Sequence, residues 1–411
     1  MIATGLVACG DDRAAPDAAV PPDAAGGLVR ITFASGLGVP GGQQVYFQAA
    51  DGSLVLATRT AVDGTASAWM LPGGFVTVVE ERGGIRSIFT HADVQPGVPL
   101  LVNQPPSPDS EARTFKVQLP PLPWPYLLWT PCGGPFDVRD ADLGPTELVV
   151  YGCPPVSDLL VTVQGTDEYL FEAAAPLTGT VTFTGPLAVA VRPTVEVRGL
   201  PASVPSLLIS QGLAAGDGIT SPTVSAALAV TGGEGTAQLE PALPLPSGST
   251  LRTDIAPPPF ESPPPGIGTF PYVIDWRPAA AALALDVEAV AVRALTSAPR
   301  YDPRTRSVRW TEAATGRAPD GVFINLGWTE FATGISVTWH ISAPRGEEAV
   351  VRLPVLPRDD LSPSADVRVD GLTSYALTGG YAAMRGRLQR LGIGAWPLTG
   401  EAGSVAYRQY P

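Results

Sequence analysis

Residues Val45–Gly84 read VYFQAADGSLVLATRTAVDGTASAWMLPGGFVTVVEERGG. Asp51-Gly52 and Asp63-Gly64 are turn dipeptides: Gly tolerates positive φ, and Asp hydrogen-bonds the backbone two residues on. Runs with a period of two lie around them, Ser53-Leu54-Val55-Leu56 and Phe75-Val76-Thr77-Val78-Val79, and Pro72-Gly73-Gly74 supplies another turn. Four strands in forty residues are predicted, with turns every ~8–12 residues, as in a small β-sandwich. The rest of the chain agrees. Gly and Pro number 45 each in 411 residues, which disfavours long helices and suits short strands and turns. Hydrophobic residues make up 45%, enough for packed cores in two to four domains of ~100–200 residues. The net charge of −13 repels phosphates and excludes a nucleic-acid partner.

The order of apolar strand, DG, strand, T-x-x-DG-x-A-x-A, L-P-x-G and V-T-V over Leu28–Val102 resembles bacterial Ig-like and carboxypeptidase regulatory-like domains. That resemblance implies a non-catalytic sandwich over residues 28–105. Asn103–Glu111 (NQPPSPDSE) reads as a linker. A second β domain is expected over 112–257, with strands at Glu147–Tyr151, Asp158–Val163, Gly179–Thr184, Leu187–Val191, Thr223–Val230 and Thr236–Leu239. A second proline-rich break, APPPFESPPPGIG at Ala256–Gly268, precedes a third β domain over 266–411. There Trp310, Trp328 and Trp339 each sit on a strand pattern, which is similar to fibronectin type III-like sandwiches with a core Trp. Ala279–Leu295 mixes helix-forming alanines with alternating Leu283, Leu285 and Val287, and is read as a strand with a bulge. The expected fold is all-β: three Ig-like or fibronectin III-like sandwiches in series after a disordered tether.

That tether occupies residues 1–27, MIATGLVACGDDRAAPDAAVPPDAAGG. Leu6-Val7-Ala8-Cys9 resembles a bacterial lipobox, which implies acyl chains on the Cys9 sulfur. Only eight residues precede Cys9, with no Lys or Arg, so the natural start is expected upstream, where a signal peptide's basic n-region would lie. The alternative is a cytosolic protein with a meaningless N-terminus. With Cys9 lipidated, Cys132 and Cys153 remain as an even pair. They are either a disulfide, closing a loop in an oxidising compartment, or two buried thiols. The block TPCGG…YGCPPVSDLLVTV resembles an element of myxobacterial-type lipoproteins, which implies export and a cysteine pair but no activity.

Motifs for catalysis are scarce. Gly36-Leu37-Gly38-Val39-Pro40-Gly41 matches G-x-G-x-x-G, but that fingerprint works only where it opens a helix, and QQVYFQ reads as a strand. Lys116, the only lysine, sits between Phe115 and Val117, which excludes a P-loop. His91, in FTHADVQPG, reads as a turn residue; His340 follows Trp339 on a strand. Neither has a neighbouring partner for a zinc site, and a Ser-His-Asp triad built from distant segments is left open. Asp137, Asp140 and Asp142 lie close enough to offer oxygen ligands to a structural calcium; a solvated acidic loop is the other reading. Trp124 and Tyr126, in PWPY, are either an exposed aromatic platform for a glycan or protein, or side chains pinning a Pro-rich crossover. The sequence therefore points to a non-enzymatic binding, adhesion or envelope-scaffold protein. It would sit on the lipid bilayer of the bacterial outer membrane or cell surface, with envelope proteins or glycans as partners. The alternative is an extracytoplasmic hydrolase or carbohydrate-binding protein with a site assembled from distant residues.

Overall fold

The computed structural model describes residues 26–33, 41–102, 112–381 and 403–410, apart from 123, 139–143, 152, 154, 201–203, 216–217, 220–222, 257–271, 331–332, 347, 359–360, 362 and 364–366. The fold is all-β, with several β-sandwich units, as the alternation of apolar residues predicts. In Gly27–Phe33, for example, Val29, Ile31 and Phe33 point inward and the residues between them do not. The turns at Asp51 and Asp63 form as read. Their carboxylates accept from Ser53 N (2.8 Å) and Thr65 N (3.0 Å), and Gly52 and Gly64 take φ of +85° and +79°. The segment after the glycine-rich stretch is the strand Gln44–Gln48, so no helix opens there to receive a dinucleotide.

The described strands repeat one arrangement, a three-stranded sheet over a four-stranded one. In the first unit Gly27–Phe33 lies between antiparallel Thr65–Met70 and parallel Leu100–Val102. This three-stranded sheet faces a four-stranded one ordered Leu54–Arg59, Gln44–Gln48, Gly74–Arg82, Ile85–Val94. The second unit repeats it. Ala112–Gln118 lies between Thr146–Tyr151 and Gly179–Thr182, over Gly133–Val138, Tyr126–Thr130, Val156–Val163 and Glu168–Pro176. In the third, Thr194–Arg198 lies between Gly235–Gln238 and Ala282–Asp286, over Val224–Ala229, Ser206–Ala215, Thr250–Ala256 and Tyr272–Pro278. The fourth sets Ser307–Arg309 between Val350–Arg352 and Arg300–Asp302, over Ser336–Pro344, Gly321–Thr329, Arg368–Leu377 and Gly403–Tyr410.

These units correct the expected boundaries. Val29–Val102 does form one core, as read. Residues 112–257, taken as one domain, are divided between two. Phe115, Tyr126, Val161 and Phe183 belong to one hydrophobic cluster; Val195, Ile209, Leu251 and Ile255 belong to another. The proline-rich break is not a boundary between cores. Its flanking strands, Thr250–Ala256 and Tyr272–Pro278, pair antiparallel with Ile255 opposite Val273. A proline-rich hairpin connection and a proline-rich linker share a composition, so local sequence does not separate them. Ala282–Asp286 is a strand, but it ends in a single helical turn, Val287–Val290, capped by Asp286 accepting from Ala289 N (3.3 Å). Residues 1–25 of the tether and the 103–111 linker lie outside the described residues; Gly27, read as the tether's last residue, opens the first strand.

Nor do the units follow one another like beads. The sixth strand of the third unit, Tyr272–Pro278, pairs with Gly403–Tyr410 of the fourth. The third strand of the fourth, Ser336–Pro344, pairs in parallel with Ile85–Val94 of the first, Trp339 opposite Ile88. One 13-stranded sheet results. Leu160 and Tyr169 of the second unit pack into the core of the third. The spatial order is therefore second, third, fourth, first.

Trp310, Trp328 and Trp339 are core residues of the fourth unit, as the likeness to fibronectin type III-like sandwiches implies. Trp339 also seals the join with the first unit: it is 1% exposed, and its indole N–H donates to Thr90 Oγ1 at 2.8 Å. Truncating it leaves a cavity and removes one of the two hydrogen bonds of the Thr90 hydroxyl, the other being to Thr77 Oγ1 at 2.8 Å. Trp339→Ala is expected to destabilise the joined units by about 3–5 kcal/mol, read as a fall in the chemical-denaturation midpoint of the full chain.

Candidate functional site

Sequence-derived candidates scatter over the molecule. Cys9, Asp140 and Asp142 lie outside the described residues. Asp137 is exposed near the end of Gly133–Val138, so it alone of the calcium set is described. Trp124 is 56% exposed. Tyr126 corrects the platform reading: it is fully buried in the second core, and its hydroxyl donates to Pro120 O at 2.6 Å. It opens the alternation Tyr126-Leu128-Thr130, whose side chains all face inward; that alternation was the signal that placed it inside. Cys132 and Cys153 are paired, with Cα atoms 5.3 Å apart, within the span of a disulfide.

The two histidines, distant in sequence, lie on the neighbouring strands that join the first and fourth units. Phe89 is opposite His340, and Ser342 is opposite His91. His91 is therefore a strand residue within Ile85–Val94, not a turn residue. His340 Nδ1 is 2.7 Å from Asn325 Oδ1, an acceptor to which the ring N–H donates. Its ring stacks on Phe89 (5.0 Å between centroids) and Phe323 (6.0 Å). Burial holds the imidazole below its ordinary pKa, because an apolar stack disfavours the charged form. The Ser342 hydroxyl is buried 3.5 Å from the Tyr381 hydroxyl, which in turn donates to Ala92 O at 3.2 Å. These groups bind the two units together.

A concave site lies elsewhere, beside the sixth strand of the second unit, Glu168–Pro176. On its outer side only the two-residue strand Ala188–Val189 pairs with it, at Glu168 and Tyr169. Among the described residues no strand lies beyond Leu170–Pro176, a stretch that is regular over Leu170–Glu172, bulges at Ala174 (φ +50°) and ends in Pro176. Alongside runs a cleft of about 440 Å³, walled by Tyr169, Phe171, Phe183, Pro186 and Pro246, with Glu172 at its lip. Burial pushes the Tyr169 hydroxyl above its ordinary pKa, against a hydrogen bond with the Leu245 backbone, so it stays neutral near pH 7. Glu172 is exposed. An unpaired strand edge next to an aromatic cleft can take an extended chain: the backbone ladder supplies affinity and the cleft takes alternate side chains. Sequence reading missed this site. Phe171 and Glu172 look like ordinary strand residues, and whether a strand is an edge is a property of topology.

No family model and no curated protein matches the chain. Among solved structures it is similar to the Bacillus anthracis TIE protein, at 10% identity and a TM-score of 0.15, over 64% of this chain and 50% of that one. It is also similar to the pilus adhesin SpaC from Lactobacillus rhamnosus GG in its open conformation, at 10% identity and a TM-score of 0.15, over 81% and 44%. The chain thus spans half or less of either protein. Scores this low carry no argument about function.

Two measurements test the geometry. The cysteine bridge closes a separation of 21 residues, for which chain-entropy reasoning gives about 3 kcal/mol. Cys153→Ser should lower the stability of the second unit by that amount, and reducing agent should do the same to the wild-type chain only. His340 gives acid sensitivity. Its folded pKa lies below its unfolded one, so under about pH 6.5 the unfolded chain takes up a proton that the folded chain resists. Denaturation midpoints should fall from pH 7 to pH 5, and His340→Gln should flatten that slope.

Proposed function

We propose that the protein is a non-enzymatic binding and scaffold protein of the bacterial cell envelope. It is tethered to the outer membrane or cell surface through acyl chains on Cys9 and presents its sandwiches as one body. Envelope proteins or glycans are its partners. The single observation that carries the binding role is the open strand edge at Leu170–Pro176 beside an aromatic cleft, an arrangement that recognises an extended chain and needs no reacting group. The Cys132–Cys153 pairing supports an oxidising compartment, where such bridges persist. The edge-to-edge joining of the first, fourth and third units supports a scaffold role, since a shared sheet has no hinge between them. Exposed Trp124 adds a contact for a glycan ring.

Cell fractionation with mass spectrometry of the Cys9 peptide tests the reading. The expected result is an acylated Cys9 in the membrane fraction together with an oxidised Cys132–Cys153 pair. Recovery of unmodified Cys9 from the cytosol, with both other thiols reduced, would overturn it. So would turnover of an ester, peptide or glycoside that His340→Ala or His91→Ala abolishes, which is the outcome a hydrolase requires.

A further inference from the structure

We infer that copies of this chain associate head to tail, the edge strand Leu54–Arg59 of one copy adding to the open edge Leu170–Pro176 of the next. Those two strands lie in the first and second units, the opposite ends of the spatial order second, third, fourth, first. Leu54–Arg59 is the last strand of the 13-stranded sheet. Its run Leu54-Val55-Leu56 is 49%, 46% and 39% exposed. Native proteins usually blunt such an edge with Lys or Pro, and this strand has neither.

The molecule itself supplies the precedent for the pairing. In the fourth unit the third strand, Ser336–Pro344, is completed by the sixth strand of another unit, Ile85–Val94, in parallel from Ser336 opposite Ile85. Leu54–Arg59 is the third strand of the first unit, and Glu168–Pro176 is the sixth strand of the second. Neither is completed over these stretches among the described residues. The same third-to-sixth joint is therefore available between copies. The chemistry also matches. The cleft beside Leu170–Pro176 has an apolar wall of Phe171, Pro186 and Pro246, which takes Leu54 and Leu56, and a polar one of Thr184 and Ser247 beside the buried Phe183. The charge at the end of the incoming strand is the exposed Arg59, and the charge at the cleft lip is the exposed Glu172. Because the two surfaces differ, the contact is heterologous and does not close on itself as a two-fold dimer does.

The inference rests on reading the cleft as a binding groove. It is tested by sedimentation velocity of the full chain over a wide concentration range. The wild-type mass should climb past a dimer without a plateau at two. Leu56→Lys, which blocks the strand, and Phe171→Lys, which blocks the cleft, should each give monomers. Mixed in equal amounts they should give dimers that grow no further, since each then carries one intact end. Glu172→Arg, at an exposed position that tolerates the change, keeps the cleft side testable if Phe171→Lys fails to fold; it should weaken association at least tenfold. A wild-type chain that stays monomeric, or a Phe171→Lys or Glu172→Arg chain that associates like wild type, would overturn the inference. A monomeric wild type that still binds an unrelated extended apolar peptide, in a manner lost in Phe171→Lys, would overturn self-association and leave the groove reading standing.

Discussion

Unpaired strand edges govern this molecule. A sandwich of two open sheets ends on strands whose N–H and C=O groups lack a partner on one side. An edge buried in that state costs about 1–3 kcal/mol per unsatisfied group, and an exposed one invites unwanted pairing. Here four-stranded sheets of separate sandwiches complete one another. Both faces of the parallel join between Ser336–Pro344 and Ile85–Val94 carry packed side chains: Trp339 and Ile88 on one, His340 and Phe89 on the other. A slip of one residue would exchange the two faces, driving His340 into the apolar core and Trp339 out of it. The register is therefore fixed by packing, and the relative placement of the first and fourth units follows from it.

The other join works through the strand Gly403–Tyr410, which lies between Tyr272–Pro278 and Arg368–Leu377 and pairs antiparallel with both. Arg408, buried, donates from Nε to Val292 O at 2.7 Å, tying this strand to the stretch that leads from the third unit into the fourth. Two units thus share one strand's worth of backbone bonds. Neither can move away without opening an edge on the other, a stronger coupling than apolar contact between two closed sandwiches would give.

How much of this was legible in the sequence depended on the range of the interaction. Strand positions and the Asp-Gly turns were readable, because alternation and turn chemistry are local; Ser53 and Thr65 bond the aspartates two residues away. The strand positions of Trp310, Trp328 and Trp339 were readable for the same reason, and their place in the core followed from the likeness to fibronectin type III-like sandwiches. The number and order of units were not. Ile255 meets Val273 across a proline-rich connection, and Trp339 meets Ile88 across some 250 residues, and no local pattern encodes either. The candidate cleft was hidden by the same limit. What marks Phe171 and Glu172 is that the strand holding them is incompletely paired.

The fourth unit shows which feature of the repeat is under constraint. In the first three, a parallel seventh strand flanks the first: Leu100–Val102, Gly179–Thr182 and Ala282–Asp286. In the fourth, the strand in that place is Arg300–Asp302, which precedes its partner and runs antiparallel to it. The tight turn between them is held by Asp302, whose carboxylate accepts from Arg304 N at 2.9 Å and Thr305 Oγ1 at 2.8 Å. Strand direction and chain order have both changed, yet the place is filled. Left open, it would expose the backbone of Ser307–Arg309 and one flank of the core around Val308 and Trp310. What persists through the repeat is occupancy of each position in the sheet, which backbone pairing and core burial require; the route by which the chain supplies the strand is free to vary.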